Sequence, residues 1–151
     1  MGKGKGGKRD KRIVPNAPAV EKRARVPAQP DPTRSGPSWR FALLDHEGPF
    51  GWNNLTERQT TQKIVERLAK FEGMTWTQIM QGTGSHNVAL DQLSSDAQRR
   101  LRAISLDDVD QLFSLRVEGR PRVWGILDAS VLSIIWWDPE HLVCPSNKKN
   151  T

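Results

Sequence analysis

The stretch that most constrains the fold is residues 112–146, which contain three apolar runs rich in β-branched and aromatic residues. Short polar connectors at residues 118–120 and 128–130 separate these runs, and both have the length of hairpin loops. Gly119 supplies a residue that tolerates a positive φ angle in the first connector. The stretch therefore predicts a three-stranded antiparallel meander, followed by a short fourth strand at residues 142–144.

Alternation along the runs predicts which side chains share a face of this sheet. In the first run, Phe113, Leu115 and Val117 lie on one face, and Ser114 and Arg116 on the other. In the second run, Val123, Gly125 and Leu127 lie on one side, and Arg122, Trp124 and Ile126 on the other. The third run, residues 131–137, is almost entirely apolar, which is typical of a strand covered on both faces.

Upstream of the meander, the pattern predicts an edge strand near residues 39–45 and then three helices. Capping patterns mark the helix starts: Asn54 with Glu57, Thr56 with Gln59, Thr75 with Gln78, and Ser95 with Gln98. The glycine-containing residues 81–87 are typical of a loop. The order of elements predicts an α+β fold: an N-terminal strand, two or three helices on one face of the sheet, then a three- to four-stranded antiparallel meander.

The charge is concentrated at the N-terminus. Residues 1–38 carry ten Lys or Arg against three acidic residues and six of the ten prolines, so we predict a disordered basic tail. Residues 39–151 carry a net charge of −1 and form the predicted folded domain. The basic tail is either a solubilising segment or a nonspecific attractant for nucleic acid. Its candidate nucleic-acid-binding residues are Lys3, Lys5, Lys8, Arg9, Lys11 and Arg12.

Several classes of protein are excluded by what the sequence lacks. Cys144 is the single cysteine, so no intrachain disulfide can form, and its apolar surroundings are typical of a packed thiol. No apolar window approaches the ~18 residues of a membrane span, and no apolar secretory region follows the basic start. We expect a cytoplasmic protein that does not enter a membrane. No spacing typical of a metal site or a cofactor motif is present, so we predict neither a metal nor a cofactor.

Arg116 and Arg122 are the first candidate site residues. They lie on adjacent predicted strands joined by a tight hairpin, so both guanidinium groups can project from one face toward a common anion. Two planar forks suit a phosphodiester, because each can bind two oxygens and stays charged. The alternative is that each arginine pairs with a nearby carboxylate, such as Glu118 or Asp128.

The polar residues 138–141, Asp-Pro-Glu-His, follow the buried third strand and form the second candidate. His141 is the side chain whose ordinary pKa lies near neutral, and with Glu140 or Asp138 beside it, it could serve as a general acid or base. The alternative is an Asp-Pro turn in which Asp138 bonds to its own backbone.

Two further groups have alternative interpretations. The tryptophans Trp124, Trp136 and Trp137 belong to the core, or one of them stacks on a nucleic-acid base beside the arginines. The arginines of the third helix are a solvated face or a phosphate-facing patch; they are Arg99, Arg100 and Arg102.

The meander also carries a short signature: Leu115-Arg116-Val117, then Gly119-x-x-Arg122-Val123-Trp124-Gly125, then Val131-Leu132-Ser133-Ile134-Ile135. In this pattern, and in the order of elements over residues 39–143, the chain resembles the RelE/ParE toxin superfamily. The resemblance implies a ribosome-associated mRNA endonuclease, in which sheet arginines stabilise the phosphate while an acid/base group helps the ribose 2′-OH attack it. It implies that Arg122 is the sheet arginine, that Arg116 is a second phosphate contact, and that His141 lies near the acid/base position.

Three functions stay open at this point. The first is a RelE-like, metal-independent endoribonuclease that uses Arg116, Arg122, His141 and Glu140, with RNA as its substrate and an antitoxin-like protein as a partner. The second is a non-catalytic module that binds nucleic acid or protein through the same sheet or through the tail. The third is a structural protein whose sheet edge is completed by another chain.

Overall fold

Five strands form one mixed sheet in the computed structural model, which describes residues 36–145 together with Gly2. The elements are β1 (Ser38–Arg40), α1 (Arg58–Phe71), α2 (Trp76–Thr83), β2 (His86–Ala89), α3 (Ser95–Ala103), β3 (Gln111–Arg116), β4 (Arg122–Asp128) and β5 (Val131–Asp138). The strand order across the sheet is β1-β5-β4-β3-β2. The α+β class, the N-terminal strand and the antiparallel β3-β4-β5 meander are confirmed.

The edges of the sheet differ from the prediction. β1 runs parallel to β5, with Trp39 opposite Leu132, so the sheet is mixed. Residues 81–87, predicted to be a loop, contain the end of α2 and the start of β2, which pairs antiparallel with β3. The predicted strand at residues 142–144 does not form; this segment instead bonds to a side chain of the sheet, as described below.

The helices cover both faces of the sheet, whereas we predicted them on one face. Helices α1 and α2 pack on the front face, and α3 packs on the back face. The sheet residues of the front core are Phe113, Leu115, Val117, Val123, Leu132, Ile134 and Trp137. Those of the back core include Val88, Leu112, Trp124, Ile135 and Trp136. The predicted alternation in β3 and β4 agrees with this division, and β5 is covered on both faces as predicted.

The helix starts follow the sequence in part. At α2, Thr75 and Gln78 form the predicted capping box, with both reciprocal hydrogen bonds present. Helix α3 is capped by Ser94 rather than Ser95, because the Ser94 hydroxyl accepts a hydrogen bond from the Ala97 amide. The N-cap residue of α1 is Glu57, and neither predicted box forms there.

A β-bulge in β5 decides which side chains reach the back face. Trp124 pairs with Trp136 and Gly125 pairs with Ile134, so Ile135 is an extra residue. Ile135 and Trp136 therefore both join the back core, and the alternation beyond them is reversed. Without this bulge, Asp138 would lie on the front face.

The extra residue is fixed by the loop that follows β1. The Ile135 carbonyl accepts hydrogen bonds from the Asp45 amide at 2.9 Å and from the Trp52 indole at 3.1 Å. Asp45 in turn forms a bidentate ion pair with Arg100 of α3. The loop thus ties α3 to the bulge and holds the reversed alternation in place.

Candidate functional site

Three charged residues form a row across the back face of the sheet, at one end of β3, β4 and β5. Arg116 is directly opposite Arg122, and Arg122 is directly opposite Asp138. Directly paired residues project from the same face of a sheet, so the two guanidinium groups lie side by side, as predicted. Like charges directly opposite each other are unfavourable for stability, and a bound anion would relieve this repulsion.

Both arginines bond to the hairpin that joins their strands. Arg116 Nε donates to the Gly119 carbonyl at 2.8 Å, and Arg122 Nη1 donates to the same carbonyl and to that of Arg120 at 2.8 Å. Gly119 has a φ angle of +59°, the positive value predicted for it. Among residues 36–145, neither arginine pairs with Glu118 or Asp128. The hairpin therefore orients both groups without neutralising them.

Burial and neighbouring charges at this end of the sheet shift the pKa of Arg122. Burial lowers the pKa of Arg122, and the neighbouring charge of Arg116 lowers it further, while Asp138 opposes the shift. An arginine with a reference pKa above 12 remains charged at neutral pH despite such a shift. The two cations are thus held close together, with Arg122 partly buried and Arg116 exposed to solvent.

His141 lies beside this pair. Its φ angle is +59°, a left-handed conformation in which histidine is found more often than most residues. Burial lowers the pKa of His141, and the positive charge of Arg122 lowers it further, with Asp138 acting in the opposite direction. This shift favours the neutral imidazole, which is the form that accepts a proton.

Asp138 positions His141 rather than sharing its proton. Its carboxylate is 1 % exposed and accepts hydrogen bonds from the Leu142 amide at 2.8 Å, the Val143 amide at 2.9 Å and the Trp124 indole at 3.1 Å. This is the Asp-Pro turn that we stated as the alternative. It closes the chain around His141 and explains why residues 142–144 do not form a strand.

Glu140 is directed away from the arginine pair. Its carboxylate lies 3.3 Å from Arg120 in an exposed ion pair. The structure thus brings together Arg116, Arg122 and His141 of the four predicted catalytic residues, and places Glu140 at the rim of the hairpin.

His86 was predicted to lie in a loop with no role in the site. It begins β2 and pairs with Ser114, so it projects from the same face as the arginines. Its positive charge, when present, lowers the pKa of His141. The alternation of exposed and buried residues in His86–Ala89, with Val88 buried, is the signal of a half-buried strand. The glycines before this strand are typical of a loop, so the strand was not predicted.

One of the alternatives is wrong. Trp124, Trp136 and Trp137 are at most 5 % exposed, so they are core residues and none can stack on a base. Of the arginines of α3, Arg100 is paired with the buried Asp45, whereas Arg99, in an exposed pair with Asp96, and Arg102 face the solvent.

Comparison of the chain with family models, with curated proteins and with solved structures found no match.

A groove approaches the arginine pair from the front of the molecule. Its first part, of about 440 Å³, lies between α1 and the β3–β4 hairpin. Its lining is Lys63, Glu66, Arg67, Lys70, Val117 and Glu118. A second part, of about 260 Å³, shares Arg67, Val117 and Glu118 with the first and extends to Arg116 and Gly119. The groove thus connects the basic side chains of α1 to Arg116.

The described residues give little support for a thiol nucleophile or a metal site. The Cys144 thiol lies 3.4 Å from the Gln92 carbonyl, and burial raises its pKa, which makes it a poor nucleophile. Within residues 36–145, no three His, Cys, Asp or Glu side chains meet as metal ligands. No helix in the same range is long and apolar enough to cross a membrane. The tail residues Lys3 to Arg12 lie outside the described residues.

Proposed function

We propose that this chain is a RelE-like, metal-independent endoribonuclease whose phosphate site is the Arg116–Arg122 pair. The observation that supports this proposal is the cross-strand pairing of the two arginines beside His141, whose pKa is lowered by burial and by the charge of Arg122. A phosphodiester is the ligand that fits two adjacent guanidinium groups that form no salt bridge with a carboxylate among the described residues. The short signature of the meander, which contains both arginines, supports the same class.

Each arginine retains hydrogen-bond donors for the substrate. A guanidinium has five N–H groups, and the described bonds of Arg122 use Nη1 alone, while those of Arg116 use Nε alone. The remaining donors can bind the two non-bridging oxygens of a phosphodiester. Because the hairpin carbonyls already orient both groups, little reorganisation is needed as charge develops on the phosphorane.

His141 would act as the general base. The neutral imidazole takes the proton of the ribose 2′-OH as that oxygen attacks phosphorus, and the bond from phosphorus to the 5′ oxygen then breaks. The products are a 2′,3′-cyclic phosphate and a 5′-hydroxyl. We assign this role to His141 rather than to Glu140, because Glu140 is exposed and paired with Arg120.

RNA would approach along the groove between α1 and the hairpin. Lys63, Arg67 and Lys70 can contact successive phosphates there, and the basic tail adds sequence-independent attraction that salt weakens. Such an activity also requires the compartment in which cellular RNA is found. It further requires a partner protein that restrains it in the producing cell. A cytoplasmic location and an antitoxin-like partner are therefore parts of the proposal.

A second candidate is a non-catalytic module that binds nucleic acid at the same place. The observation that favours it is that Glu140 is occupied by Arg120, which leaves His141 as the proton-transfer group among the predicted catalytic residues. The two candidates agree on phosphate binding by Arg122 and differ on the consequence of removing His141.

Cleavage of an RNA oligonucleotide by the full chain in EDTA, with and without translating ribosomes, tests the proposal. Arg122→Gln should lower the cleavage rate about 10²–10³-fold, whereas Arg120→Gln, in the same hairpin, should stay near the wild-type rate. His141→Asn, which tolerates the left-handed backbone, should lower the rate about 10²–10⁴-fold and leave binding intact.

The outcomes separate the two candidates. Wild-type protein that binds RNA through Arg122 but never cuts it would support the binding module and refute the nuclease. Neither binding nor cleavage in either setting would refute both. Cleavage that persists in Arg122→Gln would also overturn the assignment of the site.

A further inference from the structure

His86 reaches the arginine pair from β2, the edge strand beside β3. The register of β2 places His86 opposite Ser114 and Val88 opposite Leu112. Val88 and Leu112 both belong to the back core, so His86, two residues from Val88, also projects from the back face. Arg116 is two residues from Ser114 on that face. His86 and Arg116 are therefore diagonal cross-strand neighbours, within reach of long side chains.

The imidazole of His86 has a fixed orientation. Its Nδ1 lies 3.0 Å from the Gly84 carbonyl. A carbonyl can only accept a hydrogen bond, so Nδ1 carries the hydrogen and Nε2 is the nitrogen that exchanges protons. A similar bond to a carbonyl commonly fixes the tautomer of functional histidines.

Gly84 keeps this ring close to the phosphate site. Gly84 has a φ angle of +77°, and a Cβ at this position would lie 3.7 Å from Arg116 Nη1. The turn that binds His86 therefore passes directly beside the guanidinium of Arg116. The two imidazoles approach the arginine pair from opposite sides of the row, His86 from β2 and His141 from the end of β5.

A single histidine leaves the reaction incomplete. When His141 takes the proton of the 2′-OH, the 5′ oxygen still leaves as an alkoxide, which is a poor leaving group unless it is protonated. A second group that donates a proton to this oxygen is therefore needed for rapid cleavage at neutral pH.

We propose that His86 is this general acid and a catalytic residue of the same site; the inference rests on the proposed nuclease function. In the balanced step, the 2′ oxygen forms a bond to phosphorus and its proton moves to His141. The bond between phosphorus and the 5′ oxygen breaks, and the proton on Nε2 of the protonated His86 moves to that oxygen. His86 ends neutral and His141 ends protonated, and water restores both.

Different charged groups face the two imidazoles. Arg116 of β3 is the neighbour of His86, while Arg122 of β4 and Asp138 of β5 face His141. Reaction then requires a protonated His86 together with a neutral His141. The rate should therefore rise and then fall as pH increases.

Two substrates test the role of His86 in the full chain. The first is an RNA oligonucleotide, and the second is the same RNA with sulfur in place of the bridging 5′ oxygen, because a thiolate leaves without a proton. His86→Gln should lose about 10²–10³-fold on the first substrate and stay within about tenfold of wild type on the second. His141→Asn should be slow on both. His46→Gln, at an exposed histidine of another loop, is the matched control and should match wild type on both.

The pH profile gives a second readout that a merely structural role would not change. His86→Gln should lose the alkaline limb of the profile and keep the acidic limb. His86→Asn is a second variant at the same residue. Thermal unfolding of both variants shows whether the short strand β2 still folds.

Failure of this inference differs from failure of the proposed function. If the wild type cuts RNA and His86→Gln cuts it with the same rate and profile, the role of His86 is refuted and the nuclease stands. An equal loss on both substrates in His86→Gln would also refute the acid role. If the wild type cuts neither substrate, both proposals fall.

Discussion

Asp138→Asn should release the segment that carries His141 without touching the imidazole. One oxygen of this buried carboxylate, Oδ2, accepts from Trp124 and Val143, and the other, Oδ1, accepts from Leu142. An asparagine can keep its carbonyl oxygen in the place of Oδ2. Its NH₂ group then faces the Leu142 amide, so that two donors meet.

The expected cost follows from this arrangement. The variant loses one hydrogen bond to a charged acceptor, which contributes about 1.5–3 kcal/mol. Because 1.4 kcal/mol corresponds to a factor of ten in an equilibrium constant, the segment after residue 138 should open about 10- to 100-fold more often. Cleavage of RNA should fall with it, since His141 is then out of position for most of the time.

Hydrogen exchange measured by NMR, together with urea unfolding, checks this prediction. The Leu142 amide should lose protection in Asp138→Asn, and the free energy of unfolding should fall by the amount given above. Asp128→Asn, at the exposed opposite end of β4, is the matched control and should change neither. Unchanged Leu142 protection, combined with an altered pH profile of cleavage, would refute the positioning role and make Asp138 a proton-transfer partner of His141.

Three further predictions concern the framework of the site. Asp45→Asn should lower the free energy of unfolding by about 1.5–3 kcal/mol, measured by urea unfolding, because it removes the charged acceptor of the hydrogen bonds from Arg100 and Trp136. Burial raises the pKa of Asp45, but hydrogen bonds from Arg100 and an indole outweigh this effect, so the pKa lies below 3.8. The stabilisation by this carboxylate is therefore present above about pH 4 and lost as pH falls through the lowered pKa. If the free energy of unfolding of the variant fell at acid pH as it does in the wild type, this would be contradicted. Gly125→Ala should lower the free energy of unfolding by about 1–3 kcal/mol, because the added Cβ would clash with the Ser133 carbonyl oxygen; equal urea midpoints for variant and wild type would contradict the bulge. Ala129→Gly should stabilise the fold by up to about 1 kcal/mol, because Ala129 has a φ angle of 52°, and a lower melting temperature would refute this.

Local sequence signals predicted the centre of the sheet well. The alternation in β3 and β4 places Arg116 and Arg122 on one face because their hairpin is short and its register is set locally. The capping box at Thr75 likewise depends on neighbours within three residues. The features that lie closest together in sequence are therefore the ones the sequence alone predicts.

The rest depends on contacts between residues far apart in the chain. The bulge at Ile135 is fixed by the loop around Asp45, about 90 residues earlier, and no local pattern reveals that the alternation reverses there. The reversal puts Asp138 on the back face, which in turn positions His141. His86 joins the site through a strand whose pairing partner lies near residue 114, so the site could be predicted in part and its second histidine could not.

The most direct test of the central claim is an NMR titration of the full chain with a dinucleotide that cannot be cleaved because its 2′-hydroxyl is absent. If Arg116, Arg122 and His141 form one phosphodiester site, their guanidinium and imidazole signals should shift together and saturate at one affinity, and Arg122→Gln should abolish all three shifts. Shifts confined to lysines of the groove or the tail, with these three side chains unchanged, would contradict the account.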